Sequence, residues 1–253
     1  RSGRQIRLTP CGERFLLEAR DLLRRAEDSA LVARAVASGQ QGSVTLGFVP
    51  IATLGLLPRI VPVLSQELPA IRLVLQEMLT LHQVQALTSG RHDLGILRTP
   101  PSREGLQFRL LRRERYLLAI YRDHPLATRD DLTLRDLEGR DMLMYSPGAG
   151  WYGHDRIRAL FVEAGVQPNF VQYFGVTLTM LSLVNVDAGV ALVTESARDL
   201  QLANVVYREI ALPRDLRSEF WLAFSPQRIN DPVVRRVHDR ILGLFPNPDQ
   251  PES

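Results

Sequence analysis

From Ser43 onward the chain alternates short apolar runs with helical stretches, and this order limits the fold more than any other feature. Val44, Leu46 and Phe48 alternate as in a strand, and a helix follows over 56–67 with Pro58 in its first turn. Pro62 falls in the expected interior of that helix, where proline implies a kink or a later start. Ile71, Leu73 and Leu75 alternate again, a helix runs from Thr80 to near Ser89-Gly90, and 94–97 reads as a short buried strand. Strand–helix–strand repetition implies a sheet with parallel strands covered by helices, an α/β fold. Two apolar strands, 106–111 and 116–121, flank the arginine-rich Arg112–Arg115. A second set follows, with strands at 142–145, 170–174 and 190–193 and helices at 155–164 and 178–187. Strands at 205–210 and 220–224 and a helix at 231–244 close the pattern, and Pro246, Pro248 and Pro251 read as a frayed tail. Two such sets imply two lobes, 43–115 completed by 220–248 and 116–219, with a ligand crevice beyond the carboxyl ends of the strands.

The segment before Ser43 obeys a different period. Thr9-Pro10 is a helix start, a capping hydroxyl followed by a proline tolerated at the first helical position. Phe15, Ala19, Leu22, Ala26, Ser29, Ala33 and Val36 then follow in steps of four and three up to Ser38-Gly39. That is the spacing of a helix seam, roughly 40 Å long at 1.5 Å per residue, and its alanines favour a close partner helix. A long helix ahead of the body reads as a dimer rod rather than one packed on its own domain.

All 31 basic residues are arginine, against 28 acids, and the one cysteine is Cys11. Without lysine there is no Walker-type phosphate loop and no imine chemistry, and one cysteine makes neither a disulfide nor a thiolate metal site. The five histidines show no metal-ligand spacing, and no catalytic triad is legible, so neither a metal nor an enzyme activity is expected. His124 and His238 read as solvated. No apolar run is long enough to span a bilayer and no signal peptide is present, which makes a cytoplasmic setting the expectation. The excess charge of +3 lies entirely in the first nine residues, on Arg1, Arg4 and Arg7. A basic arm of this kind can meet nucleic-acid phosphates.

Gly148-Ala149-Gly150-Trp151-Tyr152-Gly153 fits G-x-G-x-x-G between a strand and a helix. The next strand ends at Gly175 without the acid that would hold a ribose, and Trp151 and Tyr152 crowd the backbone, so the loop reads as an aromatic ligand lining and no nucleotide cofactor is expected. Thr53, Thr80 and Thr177 each stand where a strand gives way to a helix. Each can be a plain N-cap, but their recurrence at one sheet edge suits a carboxylate held by free helix N–H groups. Arg98, after the third strand, can pair with an anionic ligand or with Glu114.

Arg7-Leu8-Thr9-Pro10-Cys11-Gly12-Glu13 and the seam helix resemble the end of the winged helix-turn-helix domain and the linker helix of LysR-type transcriptional regulators. Gly55-Leu56-Leu57-Pro58, Asp93-Leu94-Gly95-Ile96, His124-Pro125-Leu126-Ala127, Glu163-Ala164-Gly165 and Val190-Ala191-Leu192-Val193 are similar to further stretches of that family. The resemblance implies two Rossmann-like lobes of the periplasmic-binding-protein-like type 2 fold behind a dimerisation helix at 9–39. It implies a homodimer through Phe15, Ala19, Leu22, Ala26, Ala33 and Val36, usually a tetramer, and a small-molecule effector. It further implies DNA contact through a reading domain ahead of residue 1, with residues 1–8 the remnant of its wing and Arg1, Arg4 and Arg7 on phosphate. A solute-binding transport protein of the same fold is the alternative.

Phe48-Val49 through Leu57-Pro58, Glu77-Met78, Thr80, Arg98 and Leu111-Arg112-Arg113-Glu114-Arg115 are similar to the subgroup sensing benzoate, muconate and related aromatic-breakdown products. By that resemblance Thr80 touches the effector, and Arg98, Arg112 and Glu114 match a charged cluster linked to a second aromatic-acid site. Where these sensors carry a glycine and a hydroxyl residue, this chain has Pro50-Ile51. Two potential hydrogen bonds disappear, about 1.5–3 kcal/mol each for a carboxylate partner. A dicarboxylate such as muconate fits poorly. An aromatic effector suits Ile51, Trp151 and Tyr152, with Thr53, Thr80 or Arg98 at its polar end; Thr177 is expected at the same site.

Overall fold

The computed structural model describes residues 9–98 and 105–248; Arg1, Arg4 and Arg7 lie outside them. Helix α1 (Pro10–Ala37) starts as its sequence dictates, with Thr9 Oγ1 accepting the Gly12 N–H at 3.1 Å. Phe15 and Leu22 on the seam are 74% and 68% exposed, so this face is not packed on its own chain. The side chains of Ala33 and Val36 lie outside the described ones. The rod leaves the body at Gly39, whose φ of +71° favours glycine. The Gly39 carbonyl accepts from Arg236 Nη1 at 3.0 Å, and a Cβ there would lie 2.7 Å from the Pro232 backbone. Gly39→Ala therefore loses stability to both strain and collision, by more than about 1 kcal/mol. Gly90→Ala, at φ +72° with open space around it, suffers the strain alone, and urea unfolding of the two variants separates the contributions.

In the body, β1 (Gly42–Phe48) pairs in parallel with β2 (Ile71–Glu77) and β3 (Leu94–Leu97). Helices α2 (Ala52–Gly55), α3 (Leu57–Glu67) and α4 (Thr80–Thr88) make the crossovers, and Pro62 sits inside an unbroken α3 rather than ending it. Next come β4 (Gln107–Tyr121), β5 (Asp141–Tyr145), α5 (Trp151–Ala164), β6 (Asn169–Phe174), α6 (Thr177–Val184) and β7 (Ala191–Thr194). β8 (Val205–Arg208), β9 (Arg217–Phe224) and α7 (Pro232–Leu244) complete the chain. The main sheet runs β2-β1-β3-β9-β4-β7 with β8 also on β4, and β5 and β6 form a parallel pair beside it. The tail is not frayed at Pro248, whose carbonyl accepts from Arg113 N at 2.7 Å. His238 is buried rather than solvated, edge-on to Phe224, and His124 Nδ1 accepts from Leu126 N.

The two strands expected at 106–111 and 116–121 are one. The charged segment between them stays in the ladder opposite β9, after a register shift at Leu110/Arg112. Tertiary partners hold it there: Arg113 bonds Glu219, and Arg115 bonds Glu195 and Glu209. Buried apolar residues fall into two clusters on either side of this waist. One holds Leu46, Leu56, Ile60, Ile96, Leu111, Phe220 and Ile241. The other holds Leu118, Ile120, Leu143, Ile157, Met180 and Leu192. β4 and β9 run side by side through the waist, and a crevice opens between the two cores.

Candidate functional site

A cavity of about 290 Å³ opens in that crevice. That volume is near the lower end of the range of small-molecule sites. Pro50, Ile51, Thr53, Thr80 and Arg98 line it from the first core's side. Trp151, Tyr152 and Thr177 line it from the other, so all eight residues expected at a ligand site meet here.

Three helices begin at the cavity. Thr80 and Thr177 are the first residues of α4 and α6, not their caps; the N-cap positions are Leu79 and Val176, and neither has a side-chain cap. α5 begins at Trp151, four residues earlier than its sequence pattern implies, with Gly150 at the N-cap and again no side-chain cap. Gly153 permits this early start, because a Cβ there would lie 2.6 Å from the Tyr145 ring. The glycine-rich segment is thus half turn, half helix, and its aromatic pair, ring centroids 6.0 Å apart, faces the crevice. First-turn N–H groups have no intrahelical acceptors, and uncapped helix starts carry positive partial charge. Three of them at one cavity favour an anionic group.

The threonines are not equivalent. Thr53 Oγ1 donates to the Pro50 carbonyl at 2.7 Å, so its proton is already used. Thr80 Oγ1 accepts the Arg98 N–H at 3.3 Å, which leaves its own proton for another acceptor. Thr177 Oγ1 meets the Tyr145 hydroxyl at 3.0 Å. Arg98 is nearly buried: Nη1 donates to Ser218 Oγ at 2.5 Å, and its guanidinium stacks 3.9 Å above Phe220 and 5.8 Å from the Tyr152 ring. Glu114 lies behind it, accepting from Ser196 Oγ at 3.1 Å, with Arg112 Nε at 3.6 Å. Burial pushes the Glu114 carboxyl above the usual range, against the opposing pull of Arg98 and Arg112. Arg112 and Glu114 do not line the cavity.

The lining also includes residues the sequence did not single out for a site, notably Tyr116, Tyr145 and Ser218, with Glu77 at an exposed position. One local signal exists: Tyr116 is a phenol opening an otherwise aliphatic buried run, Leu117–Ile120. Ser218 and Tyr145 carry no such signal. Among the described residues no cluster of three or more His, Cys, Asp or Glu could hold a metal ion, and no helix is long and apolar enough to cross a membrane.

Two cores joined by shared strands around a ligand-sized crevice are the architecture of the two-lobed, type 2 periplasmic-binding-protein-like effector domains, and solved structures of that kind match this fold. The chain belongs to the LysR-type transcriptional regulators: the model of the LysR substrate binding domain family matches residues 37–246. The HTH-type transcriptional regulator BenM of Acinetobacter baylyi is 32% identical over 211 residues, 82% of this chain and 68% of BenM. The BenM effector binding domain, solved with its effector benzoate, superposes with a TM-score of 0.67 at 29% identity over 84% of this chain and 98% of that one. CbnR, a LysR family transcriptional regulator, shares the fold at a TM-score of 0.83 and 23% identity over 95% of this chain and 83% of its own. LysR-type regulators bind DNA and small-molecule effectors and form multimers.

Proposed function

We propose that the crevice is the effector site of a DNA-binding regulator, that the effector is a small aromatic carboxylate, and that its binding changes how subunits are arranged on DNA. The convergence of eight residues from separate segments on one cavity carries this reading. Three uncapped helix starts, Thr80 and Arg98 receive the acid; Ile51 and Trp151 receive the ring. Pro50-Ile51, and the Glu77 carboxylate among the lining residues, disfavour a second negative charge. BenM, whose effector is benzoate, supports the aromatic class. In this reading 43–115 with 220–248 and 116–219 are the two lobes, and α1 pairs with its twin to make a dimer that assembles into a tetramer. Arg1, Arg4 and Arg7 lie on DNA phosphate, the setting is cytoplasmic, and no covalent chemistry occurs. Arg98, Arg112 and Glu114 act as an internal charged cluster, with Arg98 donating to Ser218 and Glu114 accepting from Ser196.

An effector shifts such an equilibrium only by its differential affinity for the two arrangements. A thermal-shift panel of aromatic and aliphatic mono- and dicarboxylates tests the site. An acid at 100 times its dissociation constant stabilises the protein by about 2.7 kcal/mol. Thr80→Val removes the free hydroxyl proton and weakens that acid by about 1.5–3 kcal/mol. A panel in which no acid moves the melting midpoint sinks the reading.

A further inference from the structure

Three tyrosines line the cavity, and two of them are bonded within the protein. The Tyr145 hydroxyl meets Thr177 Oγ1 at 3.0 Å, and the Tyr152 hydroxyl accepts the Glu219 N–H at 3.2 Å. Tyr116 differs. It is only 4% exposed, yet its hydroxyl has no hydrogen-bond partner among the described residues. Its oxygen is not among the sealed, unpartnered buried atoms, so it opens onto the cavity. Native proteins pair nearly all of their buried polar groups, with protein, water or ligand. The phenol is held in place by the sheet: Tyr116 pairs with Thr194 of β7, and it lies on the face of β4 that also carries Glu114.

The surroundings fix the role this hydroxyl can play. Burial, with Tyr152 and Tyr145 adding to it, pushes the phenol up from its ordinary value, and Arg98 and Arg156 oppose this only in part. At neutral pH the group is therefore a neutral O–H donor. The nearby Arg98 and the starts of α4 and α6 favour negative charge on whatever accepts from it.

We propose that Tyr116 is a specificity residue of the effector site: its phenol donates a hydrogen bond to an oxygen of the bound molecule, so the effector carries a carboxylate or carbonyl oxygen directed at the strand floor between the cores. This rests on the effector-site reading above and adds the contact that selects within it. A site built to hydrogen-bond a ligand rejects the analogue that lacks the partner group, because its own polar group is then left unpaired.

Calorimetric titration of the intact protein and of Tyr116→Phe with benzoate, benzamide and toluene tests the assignment. Benzamide keeps the oxygen acceptor and loses the charge; toluene loses both. The variant is expected to bind benzoate and benzamide about tenfold more weakly and toluene no worse. Equal benzoate affinity in both proteins overturns the role of Tyr116 and leaves the effector site standing. If the unaltered protein binds none of the three, both fall. Should Tyr116→Phe melt well below the unaltered protein, 3-fluorotyrosine labelling of the natural sequence replaces it. A Tyr116 fluorine resonance that moves on adding benzoate supports the contact, and one that stays still while benzoate binds removes it.

Discussion

Glu114→Ala lowers the stability of the folded body by about 3–5 kcal/mol, because it leaves the buried Arg98 and Arg112 guanidinium groups without their carboxylate. For a body of this size that corresponds to a fall of about 10 °C in the melting midpoint. Glu114→Gln keeps the shape and an acceptor for Ser196, so its loss is smaller. The two variants also differ from the unaltered protein in pH dependence. A carboxyl whose pKa is raised on folding binds more proton in the folded state, so its contribution is complete below the ordinary value of 4.5 and fades as pH rises through the folded value. Stability of the unaltered protein relative to Glu114→Gln therefore falls with rising pH in that window. His92 and His124, whose pKa values are depressed chiefly by burial, act in the opposite sense and cancel in the difference. Urea unfolding across pH 4–8 reads both effects; parallel pH profiles, with the alanine variant within about 1 kcal/mol of the rest, would refute the account.

Phe15→Glu with Leu22→Glu dissociates the rod-mediated dimer while leaving the body's melting unchanged. Both side chains project from α1 largely into solvent on their own chain, so their replacement removes little intramolecular contact. In a paired rod each buries about 1.5–3 kcal/mol of apolar surface, and a dimer contains both positions twice. Charges at four seam positions raise the dissociation constant by at least about 10⁴-fold. Sedimentation at micromolar concentration would show monomers. A doubly substituted protein that still sediments as a dimer places the interface elsewhere.

The parts of the fold set by local periodicity were legible in the sequence. The change of period at Ser43, the rod's ends at Thr9-Pro10 and Ser38-Gly39, and the strand–helix order all follow from near neighbours along the chain. Thr53, Thr80 and Thr177 were legible for a related reason: a strand-to-helix junction marks one edge of a sheet, and that edge becomes the crevice. Arg98 was marked by its place after a strand, Trp151 and Tyr152 by their glycine-rich loop, and Pro50-Ile51 only by the family resemblance. Continuity of β4 was not legible, since Arg112–Arg115 reads as a break until Glu195, Glu209 and Glu219 arrive from about 80 to 106 residues away. The first turn of α5 was hidden because Gly153 disfavours helix locally, and only the closeness of the Tyr145 ring makes a glycine necessary. Thr80 and Thr177 carry the composition of caps, but the register of each helix places them one residue inside, where their hydroxyls serve tertiary partners.

The waist has a mechanical meaning. β4 and β9 cross it side by side, laddered from Arg112–Phe220 to Arg115–Arg217, so the two halves hang on a ribbon rather than on loose threads. Two-stranded ribbons take larger twists than wider sheets, so torsion is the natural degree of freedom of this connection. If the crevice is the effector site proposed above, a molecule seated there acts like a key in a stiff spindle, turning one half against the other through a small angle. In that proposal, what neighbouring subunits register is a change of bearing between their contact faces, magnified by distance from the axis.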